Sequence, residues 1–322
     1  MQNFEYIAPE SAIAAAQALS PKAGLTAVLA GGTDLLSLMK ERIERPTRVV
    51  SLRNIPALRG ISKQGGGLRI GAMATVQELL DSKAAAGYAS LLQAARGITA
   101  PQVRAMGTVA GDLLQRPRCW YYRNGYGLLA MHEGKPLVPS GENRYHAILG
   151  NQGPAYFVSA SSLAPVLISL GARAAVTGPD GERSLAVADL FQIPAAAGER
   201  ENTLQPNEIV TEVVIPSAAG WETATYEVRQ RRLLDWPLVT ASVALRVRGG
   251  KISEARVVLG HVAPIPWRSS AAETALTGQA AGEAAGETAG KAAVAAATPL
   301  TQNKAKVQLA AVAVKRAVAM AG

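Results

Sequence analysis

Residues 29–36 read "LAGGTDLL", two glycines and a Thr-Asp pair set between an apolar run and a charged stretch. Upstream, Leu25-Thr26-Ala27-Val28-Leu29-Ala30 has the composition of a buried strand, and downstream Leu35, Leu36, Met39 and Ile43 fall on one helical face. The quoted stretch is therefore a strand-to-helix turn. Glycines in such a turn let backbone approach a ligand closely, and the amides that open a helix attract anions such as pyrophosphate. The alternative is a plain tight turn with Thr33 or Asp34 as the helix N-cap. Neither G-x-G-x-x-G nor G-K-S/T occurs here, which disfavours a nicotinamide-type Rossmann turn and a phosphate-binding loop.

Outward from the turn, Arg45-Pro46 leads to a second strand at Arg48-Val49-Val50-Ser51-Leu52, so the first unit is a small α/β subdomain spanning 1–56. A second subdomain, 57–217, opens with the strand Leu68-Arg69-Ile70 and a capping box in which Thr75 and Glu78 satisfy each other's free amides, with Leu79 and Leu80 turned inward. Leu163 to Leu170 reads as a helix stopped by Gly171. Ala172 to Thr177 and Glu182 to Leu185 flank Gly178-Pro179-Asp180-Gly181 as a hairpin, and Glu208 to Ile215 is a strand closed by Pro216. A third unit, 218–322, alternates over Val239 to Val247 and Ile252 to Leu259 around Arg248-Gly249-Gly250. It ends in Ala- and Gly-rich helices with Leu309, Val312, Val314 and Val318 at near-helical spacing.

Composition narrows the function classes. The 322 residues are 48% hydrophobic and 18% charged, which is globular, and no run approaches a membrane span of roughly 20 apolar residues. The amino terminus lacks a basic-then-apolar signal, so a cytoplasmic protein is expected, the alternative being export to the periplasm on a partner's signal. One cysteine, Cys119, excludes an intrachain disulfide and any thiolate-held iron–sulfur cluster on this chain, and His132, His146 and His261 lack metal-ligand spacing, so no metal is assigned. The net charge of +9 is scattered except at "QRPRCWYYRN", 115–124, where three arginines meet three aromatics. That stretch could stack single-stranded nucleic acid. A packed loop whose arginines meet carboxylates is the preferred reading, and no nucleic-acid partner is expected.

A second glycine turn, Met106-Gly107-Thr108-Val109-Ala110-Gly111-Asp112-Leu113, repeats the pattern, and two such loops can grip one long anionic cofactor. In order along the chain, "AGGTDLL", "TAPQVRAMGTVAGDLLQRPRCWYYRN", "LQPNEIVTEVVIP" and "RRLLDWPLVTASVAL" resemble the FAD-binding medium subunit of the molybdenum hydroxylase family, which includes xanthine dehydrogenases and aldehyde oxidoreductases. The resemblance implies an α+β chain with a two-subdomain, PCMH-like FAD-binding fold followed by a C-terminal sheet-plus-helices domain. It implies that the first loop, Thr26, Ala27, Val28, Leu29, Ala30, Gly31, Gly32, Thr33, Asp34 and on to Leu35, wraps the FAD pyrophosphate. Gly107, Thr108, Gly111 and Asp112 would hold the diphosphate and ribityl region from the other side, with Leu114 and Val210 lining flavin or adenine.

The match is closest to the subset that carries an extra four-iron cluster, because Gln115 to Tyr121 resembles the start of its cluster loop. Cys119 matches one ligand and no other cysteine exists, so an inserted loop over 115–150 without a cluster is expected, its aromatics and arginines filling the space and Cys119 a buried inert thiol. Ala110 departs from the family's glycine, Ser162 from an aspartate that contacts FAD, and Glu227 from a lysine. An acid facing the flavin would lower its reduction potential. By resemblance the partners are a large subunit with the molybdenum cofactor, which oxidises an aldehyde or heteroaromatic substrate, and a small subunit with two-iron clusters. Electrons would pass from them to FAD here and on to an external acceptor, and this chain alone would not oxidise substrate. The alternative is a self-contained FAD oxidase or reductase of the same fold.

Overall fold

The computed structural model describes residues 1–231 and 233–322; Arg232, inside the quoted stretch 231–245, lies outside them. Strands β1 (Glu5–Ile7), β2 (Thr26–Leu29) and β3 (Arg48–Ser51) form a parallel sheet in the order β1-β3-β2. Val49 of the central strand pairs with Tyr6 on one side and Ala27 on the other. The strand expected to be buried, β2, is half-buried along its whole length. It is an edge strand, and one face borders a cavity instead of protein. Its carboxyl end runs into the glycine turn, the end of an α/β strand where ligands gather.

The helix after the turn, Leu35–Lys40, is shorter than the apolar spacing predicts. Leu38 and Met39 are its buried residues, Leu36 is 41% exposed and Ile43 lies beyond the helix, where its amide bonds to Leu38 O at 2.9 Å. The apolar spacing runs on past the end of the helix, where Arg42 takes a left-handed conformation (φ +59) and reverses the chain.

The second sheet holds β4 (Ile61–Gln64) and β5 (Gly67–Gly71). A short ribbon, β6 (Met131–His132) and β7 (Lys135–Pro136), lies in the inserted loop. The hairpin β8 (Arg173–Gly178) and β9 (Gly181–Ala186) and the strand β10 (Ile209–Ile215) then complete an antiparallel sheet in the order β4-β5-β10-β8-β9. Val213 of β10 pairs with Ile70 of β5 and Ala174 of β8, and a bulge separates Val210 from Glu212. The expected capping box is present: Thr75 Oγ1 accepts from Glu78 N at 3.1 Å and Glu78 Oε2 accepts from Thr75 N at 2.7 Å, opening the helix Val76–Asp81. Behind the sheet, Leu68, Ile70, Leu79, Leu91, Leu163 and Leu167 are fully buried. Each such side chain contributes roughly 1.5–3 kcal/mol.

The last sheet runs β11 (Glu222–Val228), β12 (Val239–Arg248), β13 (Lys251–Gly260) and β14 (Trp267–Arg268), all antiparallel neighbours. Helices Ser270–Leu276, Glu283–Ala293 and Lys304–Ala321 cover it. On the last helix the buried face is Lys306, Ala310, Ala313, Val314, Ala317 and Val318, while Leu309 and Val312 are half-buried. Alanine carries that face because small side chains let helix and sheet approach closely. The helix Ala164–Ser169, wholly buried, packs between the second and third sheets and ties the cofactor half to the C-terminal half.

Candidate cofactor site

The two glycine loops meet. A Cβ added at Gly31 would stand 1.7 Å from Met106 O, so only glycine permits that contact, and Gly32 adopts φ +76, a left-handed conformation that favours glycine. The amides of Gly31, Gly32, Thr33 and Asp34 find no acceptor among the described residues. Four adjacent orphan donors in a turn form a concave nest for an anion. The second loop is stitched instead to the segment that joins β5 to the helix Val76–Asp81. Val109 N bonds to Ala74 O at 2.9 Å and Val76 N to Gly107 O at 3.0 Å, while Thr108 Oγ1 accepts from Gly111 N at 3.1 Å.

On either side of this junction a cavity opens. One, of about 220 Å³, is lined by Thr26, Ala27, Val28, Ala30 and Leu35 of the first loop and by Leu114 and Val210, which the bulge in β10 turns toward it. The other, of about 270 Å³, is lined by Gly107, Asp112, Ser162, Arg229 and the helix Pro101–Met106. Thr33, Asp34, Thr108 and Gly111 border both. The walls together make one elongated, kinked groove with the orphan amides at its waist. A dinucleotide with a diphosphate between two flat ring systems has that outline, and the donor set is the one a diphosphate requires.

Most of the sequence-expected residues therefore come together, but several do so in other roles. Leu29 lines neither cavity; its side chain packs over Gly32. Thr26 Oγ1 is taken by Ser20 N at 3.0 Å. Asp34 sits at the N-cap of its helix without a capping bond. Its carboxylate instead accepts from Arg116 N and Arg123 Nη2, each at 2.8 Å, and pairs with Arg118 at 3.0 Å. Asp112 likewise points inward. It accepts from Ser161 Oγ at 2.5 Å, Leu163 N at 2.9 Å and Gln115 Nε2 at 2.9 Å, so its carboxylate secures the entry to the helix Ala164–Ser169. Burial raises the Asp112 pKa against those bonds.

Glu227 corrects the expectation of an acid facing the flavin. It does not border the groove; it pairs with Arg229, whose guanidinium also bonds Gly97 O, and Arg229 lines the 270 Å³ cavity. The charge presented there is a cation held by a buried acid, and burial raises the Glu227 pKa. Sequence reading missed Arg229 because its placement depends on β11 of the third sheet. It also missed Arg200, which lines the other cavity without an ion pair among the described residues and whose Nε lacks a hydrogen-bond partner.

The arginines of 115–124 meet carboxylates, as the preferred reading held. Arg116 pairs with Glu44 at 2.9 Å and Glu201 at 2.8 Å, and Arg118 stacks 4.6 Å from the Trp236 ring centroid. The loop does not fill all its space. A cavity of about 350 Å³ remains beside Cys119. Cys119 is half-buried, its Sγ lies 3.1 Å from His146 Nε2, and burial pushes the thiol up, which suits an unreactive role. No group of three His, Cys, Asp or Glu side chains among the described residues could hold a metal ion, and no described helix is long and apolar enough to cross a membrane.

Residues 2–218 match the family described as the FAD binding domain in molybdopterin dehydrogenase. The chain belongs to that family. Residues 224–321 match the CO dehydrogenase flavoprotein C-terminal domain, so the two matched regions account for most of the chain. The carbon monoxide dehydrogenase medium chain of Hydrogenophaga pseudoflava is 29% identical over 279 residues, 86% of this chain and 81% of that protein. The aldehyde oxidoreductase FAD-binding subunit PaoB of Escherichia coli is 31% identical over 77% of this chain and 78% of that protein. Among solved structures, carbon monoxide dehydrogenase from Hydrogenophaga pseudoflava superposes with a TM-score of 0.76 at 29% identity, covering 99% of this chain and 97% of the other. As a family member the chain is an FAD-binding medium subunit, and its mixed helix-and-strand fold is the family's.

Proposed function

We propose that this chain holds FAD stretched along the groove and serves as the electron-transfer subunit of a molybdenum-cofactor oxidoreductase. The observation that carries the reading is the waist of the groove: Gly31 in contact with Met106, and four orphan amides between two cavities. The first loop would hold the diphosphate, the residues of the 220 Å³ cavity the adenosine end and those of the 270 Å³ cavity the flavin ring. When bound, FAD would supply the redox chemistry of electron transfer between the two-iron clusters of a small partner and an external acceptor. The chain's own residues bind, orient and insulate. Thr108 shapes the turn that bears the second loop, Ser162 and the helix Pro101–Met106 wall the ring, and Arg229 sets the local potential. Neither paired carboxylates nor a nucleophile with its base stands among the lining residues, so oxidation of an aldehyde or heteroaromatic substrate belongs to a large partner with the molybdenum cofactor.

The test is an absorption spectrum of the purified chain, release and mass measurement of its cofactor, and turnover with and without partner subunits. A flavin spectrum, released FAD and aldehyde or heteroaromatic oxidation only after the partners are added is the expected result. A colourless chain that takes up no FAD overturns the reading, and substrate turnover by the chain alone would establish a self-contained oxidase.

A further inference from the structure

The largest of these cavities, about 350 Å³, is one the FAD reading does not use. It lies between the inserted loop, the segment before β12 and the last helix, and shares Arg118 and Trp236 with the wall of the 270 Å³ cavity. Its apolar surface is aromatic: Trp120, Phe157 and Trp236 border it, with Tyr145 edge-on to Trp120 at 5.6 Å between ring centroids. Volume and lining are those of a site for a small flat ligand.

Its polar groups are donors in excess. Lys306 is 4% exposed and makes no ion pair among the described residues. Its Nζ donates to Tyr145 O and His146 O, each at 3.1 Å, which leaves one of three N–H bonds without a partner. His261, 3% exposed, engages Thr240 Oγ1 through Nδ1 at 3.1 Å, and its Nε2 has no partner. The Thr240 contact is met by either tautomer; the one in which the Thr240 hydroxyl donates to Nδ1 puts the ring proton on Nε2 and offers a donor to the cavity. His261 is also held at φ +64, an uncommon conformation for a residue with a side chain, and such strain recurs where a side chain is held for use. The carboxylate on this wall, Asp235, accepts from the Arg231 and Trp236 amides at 3.0 Å and does not neutralise Lys306. Unmatched buried donors are costly, and an anion with acceptor oxygens satisfies them.

We propose that this cavity binds a small aromatic carboxylate, its ring against Trp120 and Phe157 and its oxygens on the free Nζ hydrogen of Lys306 and the Nε2 hydrogen of His261. Arg118 and Trp236 then form a partition between the bound anion and the flavin-side cavity.

Titration calorimetry on the FAD-loaded full chain tests this with benzoate as the probe, and benzamide and cyclohexanecarboxylate as the neutral and non-aromatic controls. Benzoate is expected to bind one per chain, each control about tenfold or more weaker, and Lys306→Met and His261→Leu each to weaken benzoate by at least about tenfold with FAD content unchanged. Absence of binding up to about 10 mM, equal binding of benzoate and benzamide, or wild-type affinity in either variant overturns the proposal. Should Lys306→Met fail to fold, His261→Leu decides the matter, since its side chain keeps the bulk but offers no donor.

Discussion

At Gly31 the room for a side chain is already taken by the carbonyl of Met106, 1.7 Å from where a Cβ would lie. Gly31→Ala must part the two loops and is expected to abolish retention of FAD, read as the flavin-to-protein absorbance ratio, while far-UV circular dichroism stays near wild type. Arg200 enters the groove with no direct ion pair among the described residues and an unpartnered Nε, and burial and the Arg116 charge lower its pKa against the more distant Glu201 and Glu44, so a phosphate-bearing ligand would give its guanidinium a partner. Arg200→Gln is expected to weaken FAD binding about tenfold, about 1.4 kcal/mol, in a fluorescence titration of the apoprotein. Arg229 faces the ring-side cavity with Glu227 behind it. Removing the cation in Arg229→Gln should lower the flavin midpoint potential by a few tens of millivolts, since about 1.4 kcal/mol is ~30 mV for a two-electron couple. A potential unchanged in Arg229→Gln removes Arg229 from the flavin environment. The identity of these residues is visible in the sequence, but their facing is not. Asp34 and Asp112 were legible as loop members, yet their carboxylates turn to Arg123 and Ser161, partners 89 and 49 positions away that no local pattern reveals.

Among the elements, those with strong local signals were legible: the capping box at Thr75, the hairpin of β8 and β9, and the long β12 and β13 all lie where alternation and turn residues put them. Elements with little local signal were not. Strand β1 is three residues long, and β11, "ETATYEV", is mixed in polarity because it borders the helix Ala89–Gly97 on one side and β12 on the other. One carboxylate gathers the start of the inserted loop, since Asp34 takes the Arg116 amide and both Arg118 and Arg123. Asp34→Asn keeps the shape and removes the charge. It should free the loop enough that limited trypsin digestion cuts after Arg118 or Arg123 several times faster than in wild type, measured by mass spectrometry of the fragments. An unchanged cleavage pattern means that the Glu44 and Glu201 pairs with Arg116 hold the loop without Asp34.

Across the whole molecule, stability should carry the signature of three buried bases. Burial, reinforced by the Lys306 charge, lowers His146 to about 4 and His261 to about 3, and burial lowers Lys306 to about 7. In each case the unfolded chain binds a proton more readily than the folded one, so stability rises with pH between the folded and unfolded values. Going down from about pH 6.5 toward 4 the two histidines erode stability. From about pH 7 up toward 10 Lys306 acts in the same sense, stability rising as the unfolded lysine also loses its proton and its cost fades. Urea midpoints measured across this range should show both slopes, with Lys306→Met flattening the alkaline one and His261→Gln part of the acid one. An alkaline slope that survives in Lys306→Met assigns it to another group.

The middle place of β10 in its sheet has a consequence for how the chain comes into being. Synthesis delivers β5 and β8 well before residues 209–215, and both are strands whose hydrogen-bonding edge stays open until β10 slides between them. A ribosome releasing the first two thirds of the polypeptide thus exposes a sheet with a missing slat, rich in Val, Ile and Ala, and vulnerable to any other strand nearby. The gap closes only when the segment that also brings Val210 to the groove has emerged. Completion of the sheet and completion of the 220 Å³ cavity are one event in the life of the nascent chain, and a nucleotide present at that moment would act as a folding partner as well as a passenger.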